Sequence, residues 1–213
     1  MTQSAWISLL QGAWTTIWVS ASAIALGVAI GFLIAILRNA RIPVLGRLLT
    51  FYVSIVRATP MITLVLFLFV SAPMLPFDVA PWVVAVAAMT INTAAFNAEI
   101  WRTALVTFPR EQIEAAKACG MTEHGMMRRI MLPQMVITSM PALVNEMSLL
   151  IKSSPAIAMV GLVDLTRVTN RITAVTYEPL PPILGAALIY FLMIGALVRL
   201  QRFADKYARR LAM

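Results

Sequence analysis

Long apolar runs separated by short clusters of charge set the pattern of this chain. A helix needs roughly 20 predominantly apolar residues to cross the hydrocarbon core of a bilayer. Residues 15–37 meet that length unaided, and Ser20, Ser22, Gly27 and Gly31 within them suit close packing against a neighbouring helix. The run from Met61 to Ala72 is too short alone, so a second span is predicted over 49–72, with Arg57 and Pro60 inside its first turns. Further spans are predicted over 81–105, 134–161 and 183–203. The third is interrupted by Asn92, Asn97 and Glu99, the fourth by Glu146, Lys152 and Pro155. The fifth ends on Arg199 and Arg202, whose stems can snorkel toward water. The expected fold class is all-α integral membrane, a single domain over 1–213 with five transmembrane helices and one long polar segment over 109–133.

Composition strengthens that reading. The chain is 61% hydrophobic and 12% charged, about half the charge of a soluble domain. A net charge of +8 raises the question of a nucleic-acid partner, but the basic residues sit at the ends of apolar runs and form no stripe with aromatics between them. No nucleic-acid partner is expected; the contacting phase is membrane lipid. One cysteine, Cys119, excludes an intramolecular disulfide, and one histidine beside it makes a metal site improbable. Met1 to Trp14 lacks the basic start of a cleavable signal peptide.

The cations fall on one side. Arg38, Arg41 and Arg47 lie between spans one and two, Arg110, Lys117, Arg128 and Arg129 between three and four, and Arg199, Arg202, Lys206, Arg209 and Arg210 at the end. Met1 to Trp14 and the loop from Ser71 to Pro81 hold no Lys or Arg, while Arg167 and Arg171 break the pattern. Positive loops stay in the cytoplasm. The N-terminus is therefore expected outside, in the periplasm of an inner membrane, with the C-terminus and the 109–133 segment in the cytoplasm.

That segment reads as two short helices. Thr107 is expected to cap the first, with Pro109 in its first turn and Glu111 complementing the helix dipole. Ala115, Ala116 and Ala118 favour helix, and Gly120 is a natural stop because glycine accepts the left-handed conformation. Thr122 is expected to cap a second helix ending at the Leu132–Pro133 break. Alanine side chains stop at a methyl, so another surface can approach closely. A solvated amphipathic loop is the plainer alternative.

Glu114-Ala115-Ala116, Gly120, Ile130, Leu132 and Pro133 resemble the EAA signature of ABC importer permeases, E-A-A-x3-G-x9-I-x-L-P, at every fixed position. Arg57-Ala58-Thr59-Pro60 resembles the Arg-Gly-Thr-Pro of the polar amino acid permeases. Asn92-Thr93-Ala94-Ala95-Phe96 with Ala98-Glu99-Ile100 resembles that family's third-span motif, and Gly161-Leu162, Asp164-Leu165 and Thr176-Tyr177 continue the series. The resemblance covers nearly the whole chain. It implies the type I ABC importer permease fold, with the segment as a coupling helix seated in a cleft of an ATPase subunit through Glu114, Ala115, Ala116, Ala118, Gly120 and Met121. It also implies two ATPase subunits, a second permease (identical or similar), an extracytoplasmic substrate-binding protein, and alternating access for a polar amino acid or derivative.

A P-loop needs Gly-Lys-Ser/Thr to cradle phosphates. None of Lys117, Lys152 and Lys206 follows a glycine. The chain is therefore expected to be non-catalytic and to hold no cofactor; ATP and Mg belong to partner subunits. His124 is expected at the surface. An ATP-independent secondary transporter or channel is the alternative, but such transporters commonly show internal repeats, which are not evident here. A membrane enzyme would need a catalytic constellation that is missing.

Ionisable residues inside a membrane usually pair or line cavities. Arg57 is expected to anchor at the interface, Glu99 to pair with Arg102 or serve the path. Glu146 and Ser153, seven residues apart, share a helix face that Lys152 does not, so Glu146 is assigned a structural role and is not expected to pair with Lys152. Pro155 disfavours helix at Ser154. Lys152, Ser153 and Ser154 are expected to line the translocation path with Asn92, Phe96, Asn97 and Glu99; packing against the partner permease is the alternative. Polar amino acid permeases often carry an acidic residue where Ser153 stands. The resemblance therefore implies an unusual amino acid or derivative, or selection by another subunit.

Overall fold

A computed structural model describes residues 2–40 and 42–211; Arg41, one of the cations between spans one and two, lies outside them. The regular elements among the described residues are all helical. Helix α1 spans Gln3–Asn39 and starts well before the predicted Thr15. Thr2 caps it, its hydroxyl accepting from the Ala5 N–H at 3.4 Å. The early start has a tertiary cause: Leu9 and Ala13 are buried against Leu165, Val168 and Ile189, so the first turns have a core to join. At 37 residues α1 is roughly 55 Å long, more than a bilayer requires.

α4, Pro81–Val106, is the axis of the bundle and packs most extensively on α1. Lipid is as apolar as a leucine side chain, so helices in membranes associate through close packing and small residues rather than hydrophobic exclusion. Ala85, Ala88, Ala94, Ala95 and Ala98 of α4 are fully buried. Opposite them, a Cβ on Gly31 would stand 2.7 Å from the Asn97 Cβ and 2.9 Å from the Ala94 carbonyl oxygen. Only glycine permits that approach.

The second span is not the helix predicted over 49–72. It is two helices, α2 (Pro43–Ala58) and α3 (Met61–Ser71), meeting at 110°. Thr59 is extended, with φ −89° and ψ 127°, as the residue before a proline prefers. Arg57 therefore closes α2 and Pro60 precedes α3, rather than both lying in the first turns of one helix. The two halves follow α4: the Tyr52 hydroxyl donates to the Ile91 carbonyl at 2.8 Å, and Val65 packs with Val84 and Met89.

The polar segment forms α5 (Arg110–Ala118) and α6 (Glu123–Met126). Thr107 does not cap α5. Its hydroxyl donates to the Thr103 carbonyl at the end of α4, and Pro109 occupies the cap. Gly120 is the stop expected of it, with φ +75°. Its N–H donates to the Lys117 carbonyl and that of Met121 reaches back to Ala116, the paired bonds that close a helix end. Thr122 caps α6, accepting from Gly125 N–H at 3.2 Å.

No break follows at Pro133. A wide π turn over Met127–Met131 leads from α6 directly into α7, Leu132–Ser153. Leu132 N–H reaches back five residues to the Met127 carbonyl, so Pro133 enters where a donor is dispensable. Near Pro155 the helix tightens into a 3₁₀ stretch, Ser154–Val160, ending at Gly161 with φ +85°. α8 (Leu165–Thr176) and α9 (Leu180–Leu211) complete the chain. Four helical stretches are long and apolar enough to span, and the bent α2–α3 pair makes up to five.

Candidate functional site

Three helices converge on a small cavity midway along α4. Thr59 and Met61 come from the α2–α3 break, Asn92 and Phe96 from α4, and Glu146 and Ser153 from α7. The break supplies polar backbone at a depth where it is tolerable only beside protein or a cavity. The volume is about 170 Å³, room for roughly five or six waters at about 30 Å³ each. Glu146 is 6% exposed and Asn92 8%, so the carboxylate and the amide belong to the buried wall of the recess, while Ser153 stands at its exposed side. Such a site can bind a small polar solute by charge and hydrogen bonding.

A second cavity of about 420 Å³ lies beyond it, lined by Arg57, Phe96, Glu99, Thr107 and Thr138 among others. Phe96 borders both cavities. The Arg57 guanidinium stands 5.3 Å from the Phe96 ring centroid, within cation–π range. A ring held by a cation thus forms the partition between the two spaces. Arg57 is an exposed side chain engaged by a ring.

Glu99 is paired twice. It accepts from Arg102 Nε at 2.8 Å on its own helix and from Arg38 Nη1 at 3.0 Å on α1. Spacing offers Arg102 as one of two roles for Glu99, and the structure shows that pair; Arg38 lies beyond the reach of any local pattern.

The remaining path candidates separate. Asn97 is 1% exposed, donates to Thr93 Oγ1 at 3.2 Å and packs on Gly31, away from the cavity. Ser154 is buried with its Oγ 3.4 Å from the Tyr190 hydroxyl of α9. Lys152 is exposed and does not line the recess; no ion pair with Glu146 is present among the described residues. Glu146, assigned a structural role from sequence, lines the recess instead. Thr59 and Met61 were missed, although the Thr-Pro dipeptide already signalled an interrupted helix.

The coupling candidates divide likewise. Glu114, Ala115, Ala118 and Gly120 are exposed, and Met121 is half-buried. Ala116 is 4% exposed and turns inward, joining Trp101, Phe108 and Met126 in the core. The buried methyl fixes α5 to the bundle while the opposite side remains open. His124 is exposed, as expected.

Residues 5–210 match the family described as the binding-protein-dependent transport system inner membrane component. The chain belongs to that family. This permease is 30% identical over 205 residues to the octopine transport system permease protein OccM of Rhizobium radiobacter, covering 91% of the chain and 83% of the relative. It is 29% identical over 187 residues to the arginine transport system permease protein ArtQ of Bacillus subtilis (strain 168), covering 87% and 85%. Among solved structures, an amino acid ABC transporter with histidines superposes with a TM-score of 0.86 at 29% identity, over 95% of this chain and 94% of the other. The methionine ABC transporter MetNI shares the fold, with a TM-score of 0.80 at 21% identity over 99% of both chains. The permease is thus a multi-pass inner-membrane transport component with the type I ABC importer fold. The family's dependence on a binding protein speaks against the ATP-independent transporter or channel.

Proposed function

We propose that this permease is one half of the membrane path of an ATP-driven importer for a polar amino acid or amino-acid derivative. The observation that carries the reading is mechanical. The helical rod from Glu123 through the π turn to Val160 joins the end of the exposed α5–α6 segment to Glu146 and Ser153 in the recess wall. A displacement of the segment would therefore be transmitted to the recess. Glu114, Ala115, Ala118 and Gly120 form the face offered to an ATPase subunit, which holds the ATP and Mg. The one-sided distribution of cations supports a periplasmic N-terminus and a cytoplasmic C-terminus.

The functional unit on this reading has two permeases, identical or similar, two ATPase subunits and an external binding protein. Asn145, Leu149 and Lys152 form an exposed stripe of α7 (positions i, i+4, i+7) suited to face the second permease or the path between them. Within the recess, Glu146 would meet a solute's ammonium, and Thr59, Asn92 and Ser153 its polar remainder. The relatives named for octopine and arginine make amino acids and opines the first solutes to test.

The test is the ATPase activity of the reconstituted complex with its binding protein, screened across amino acids and opines. Stimulation by one solute, lost in both Glu114→Arg and Glu146→Gln, is expected. If no ATPase subunit co-purifies and uptake survives Glu114→Arg, the coupling reading is wrong.

A further inference from the structure

A third cavity, of about 720 Å³, opens between α1, α2 and the end of α4, on the side of the Arg38–Glu99 pair away from the recess. Arg38, Arg47 and Arg102 line it. Among the described residues the sole carboxylate partner of these cations is Glu99, so three positive charges meet one negative. A guanidinium carries five N–H donors. Arg38 directs one to Glu99 and Arg102 two, and Arg47 is in no ion pair among the described residues. Glu99 thus holds two guanidinium groups in fixed positions while leaving most of their donors free, an arrangement that recognises a phosphate by fork-like hydrogen bonds.

The rim is apolar. Phe51 is 65% exposed and Val106 65%, both lining the cavity. Along α2, Val44, Leu48, Phe51 and Ile55 form a continuous exposed apolar stripe with Arg47 beside it. A soluble anion has no use for that stripe, whereas acyl chains do. We propose that this cavity binds the phosphate of an anionic phospholipid headgroup, with the lipid's acyl chains against the α2 stripe. Basic pockets between helices at the cytoplasmic surface suit such headgroups. The leaflet rests on the orientation proposed above, but the site itself does not.

The experiment is native mass spectrometry of the assembled transporter released from nanodiscs of equal phosphatidylglycerol and phosphatidylcholine, both lipids in both leaflets. The wild type is expected to retain phosphatidylglycerol preferentially. Arg47→Gln, an exposed substitution outside the Glu99 network, should weaken that retention about fivefold, the effect of one basic residue near a membrane surface. Arg199→Gln, a cation at the same end of the bundle on α9, should leave it unchanged. Equal retention of the two lipids, indifference to Arg47→Gln, or an equal loss in Arg199→Gln would overturn the site. Retention of inorganic phosphate by the complex, lost in Arg47→Gln, without any preference for phosphatidylglycerol would assign the cavity to a soluble anion and overturn the lipid reading. Solute-stimulated ATPase activity is measured separately, so failure here is distinguishable from failure of the transport function.

Discussion

Arg38 at the end of α1 donates to Glu99 of α4 at 3.0 Å across 61 positions of sequence, while Arg102 engages the other oxygen of the same carboxylate. The side chains are 12%, 25% and 36% exposed for Arg38, Glu99 and Arg102, so the network is shielded but not dry. Glu99→Gln should lower stability by roughly 1.5–3 kcal/mol, the range for hydrogen bonds to charged groups. A double-mutant cycle with Arg38→Met, read by thermal unfolding of the purified permease, should give a coupling of roughly 0.5–3 kcal/mol. Strict additivity would show that the pair holds nothing together.

Gly31 meets α4 at backbone distance. Gly31→Ala forces the added methyl toward the Asn97 Cβ and the Ala94 carbonyl, neither of which can swing aside. A destabilisation of about 1–3 kcal/mol is expected. Gly195→Ala, where no atom lies within 4 Å, should be neutral or slightly stabilising because alanine favours helix. Comparing the two melting temperatures checks the claim, and equal values would refute it.

At Gly120 the space is open but the backbone is left-handed. Gly120→Ala should therefore cost about 1–2 kcal/mol through conformation alone. Gly120→Asn should cost less, since asparagine tolerates that region. The readout is solute-stimulated ATPase activity of the reconstituted complex beside the melting temperature. An asparagine variant as damaging as alanine at this position would contradict the conformational account.

Phe96 separates two cavities and is held by Arg57. Phe96→Ala would join them. Uptake should fall severalfold with assembly intact, while Phe96→Tyr, which keeps a ring for the cation, should retain most activity. Uptake assays with quantified membrane levels distinguish these outcomes; equal activity of the two variants would remove Phe96 from the path.

Asp164 caps α8, accepting from the N–H groups of Arg167 at 2.9 Å and Thr166 at 3.2 Å. Burial nonetheless pushes its carboxyl above the usual aspartate range, outweighing the backbone donors that favour the anion. The native state then binds the proton more tightly than the unfolded chain, so this contribution is present below the ordinary aspartate value and declines as pH rises through the raised one. Asp164→Asn keeps the cap without the charge and should gain on the wild type over that rise; Asp164→Ala should lose about 0.5–2 kcal/mol. Thermal unfolding of all three across pH tests both statements.

Much of this molecule is local and therefore legible in the chain. The stop at Gly120, the cap at Thr122 and the change of helix near Pro155 follow from the conformational freedom of glycine, a hydroxyl's reach of three residues, and proline's missing donor. The spans follow from the length of apolar runs against the thickness of a bilayer. The same rules reached too far at Pro133, where a π turn absorbs the proline, and at Thr107, where the hydroxyl serves the preceding helix. They fell short at Thr59, where the residue before proline ends α2 and redirects the chain by 110°.

What sequence by itself determined is the membrane class, the number of apolar runs, the exposed polar segment and its family signature, because each is written in neighbouring residues. Tertiary structure alone decided which polar residues meet across helices. It placed Glu146 in the recess, turned Asn97 toward Gly31, Ser154 toward Tyr190 and Ala116 into the core, and paired Arg38 with Glu99. Helical periodicity gives the face a residue occupies but not the helix opposite it. That helix is selected by glycine and alanine surfaces fitting together at distances only a folded bundle sets.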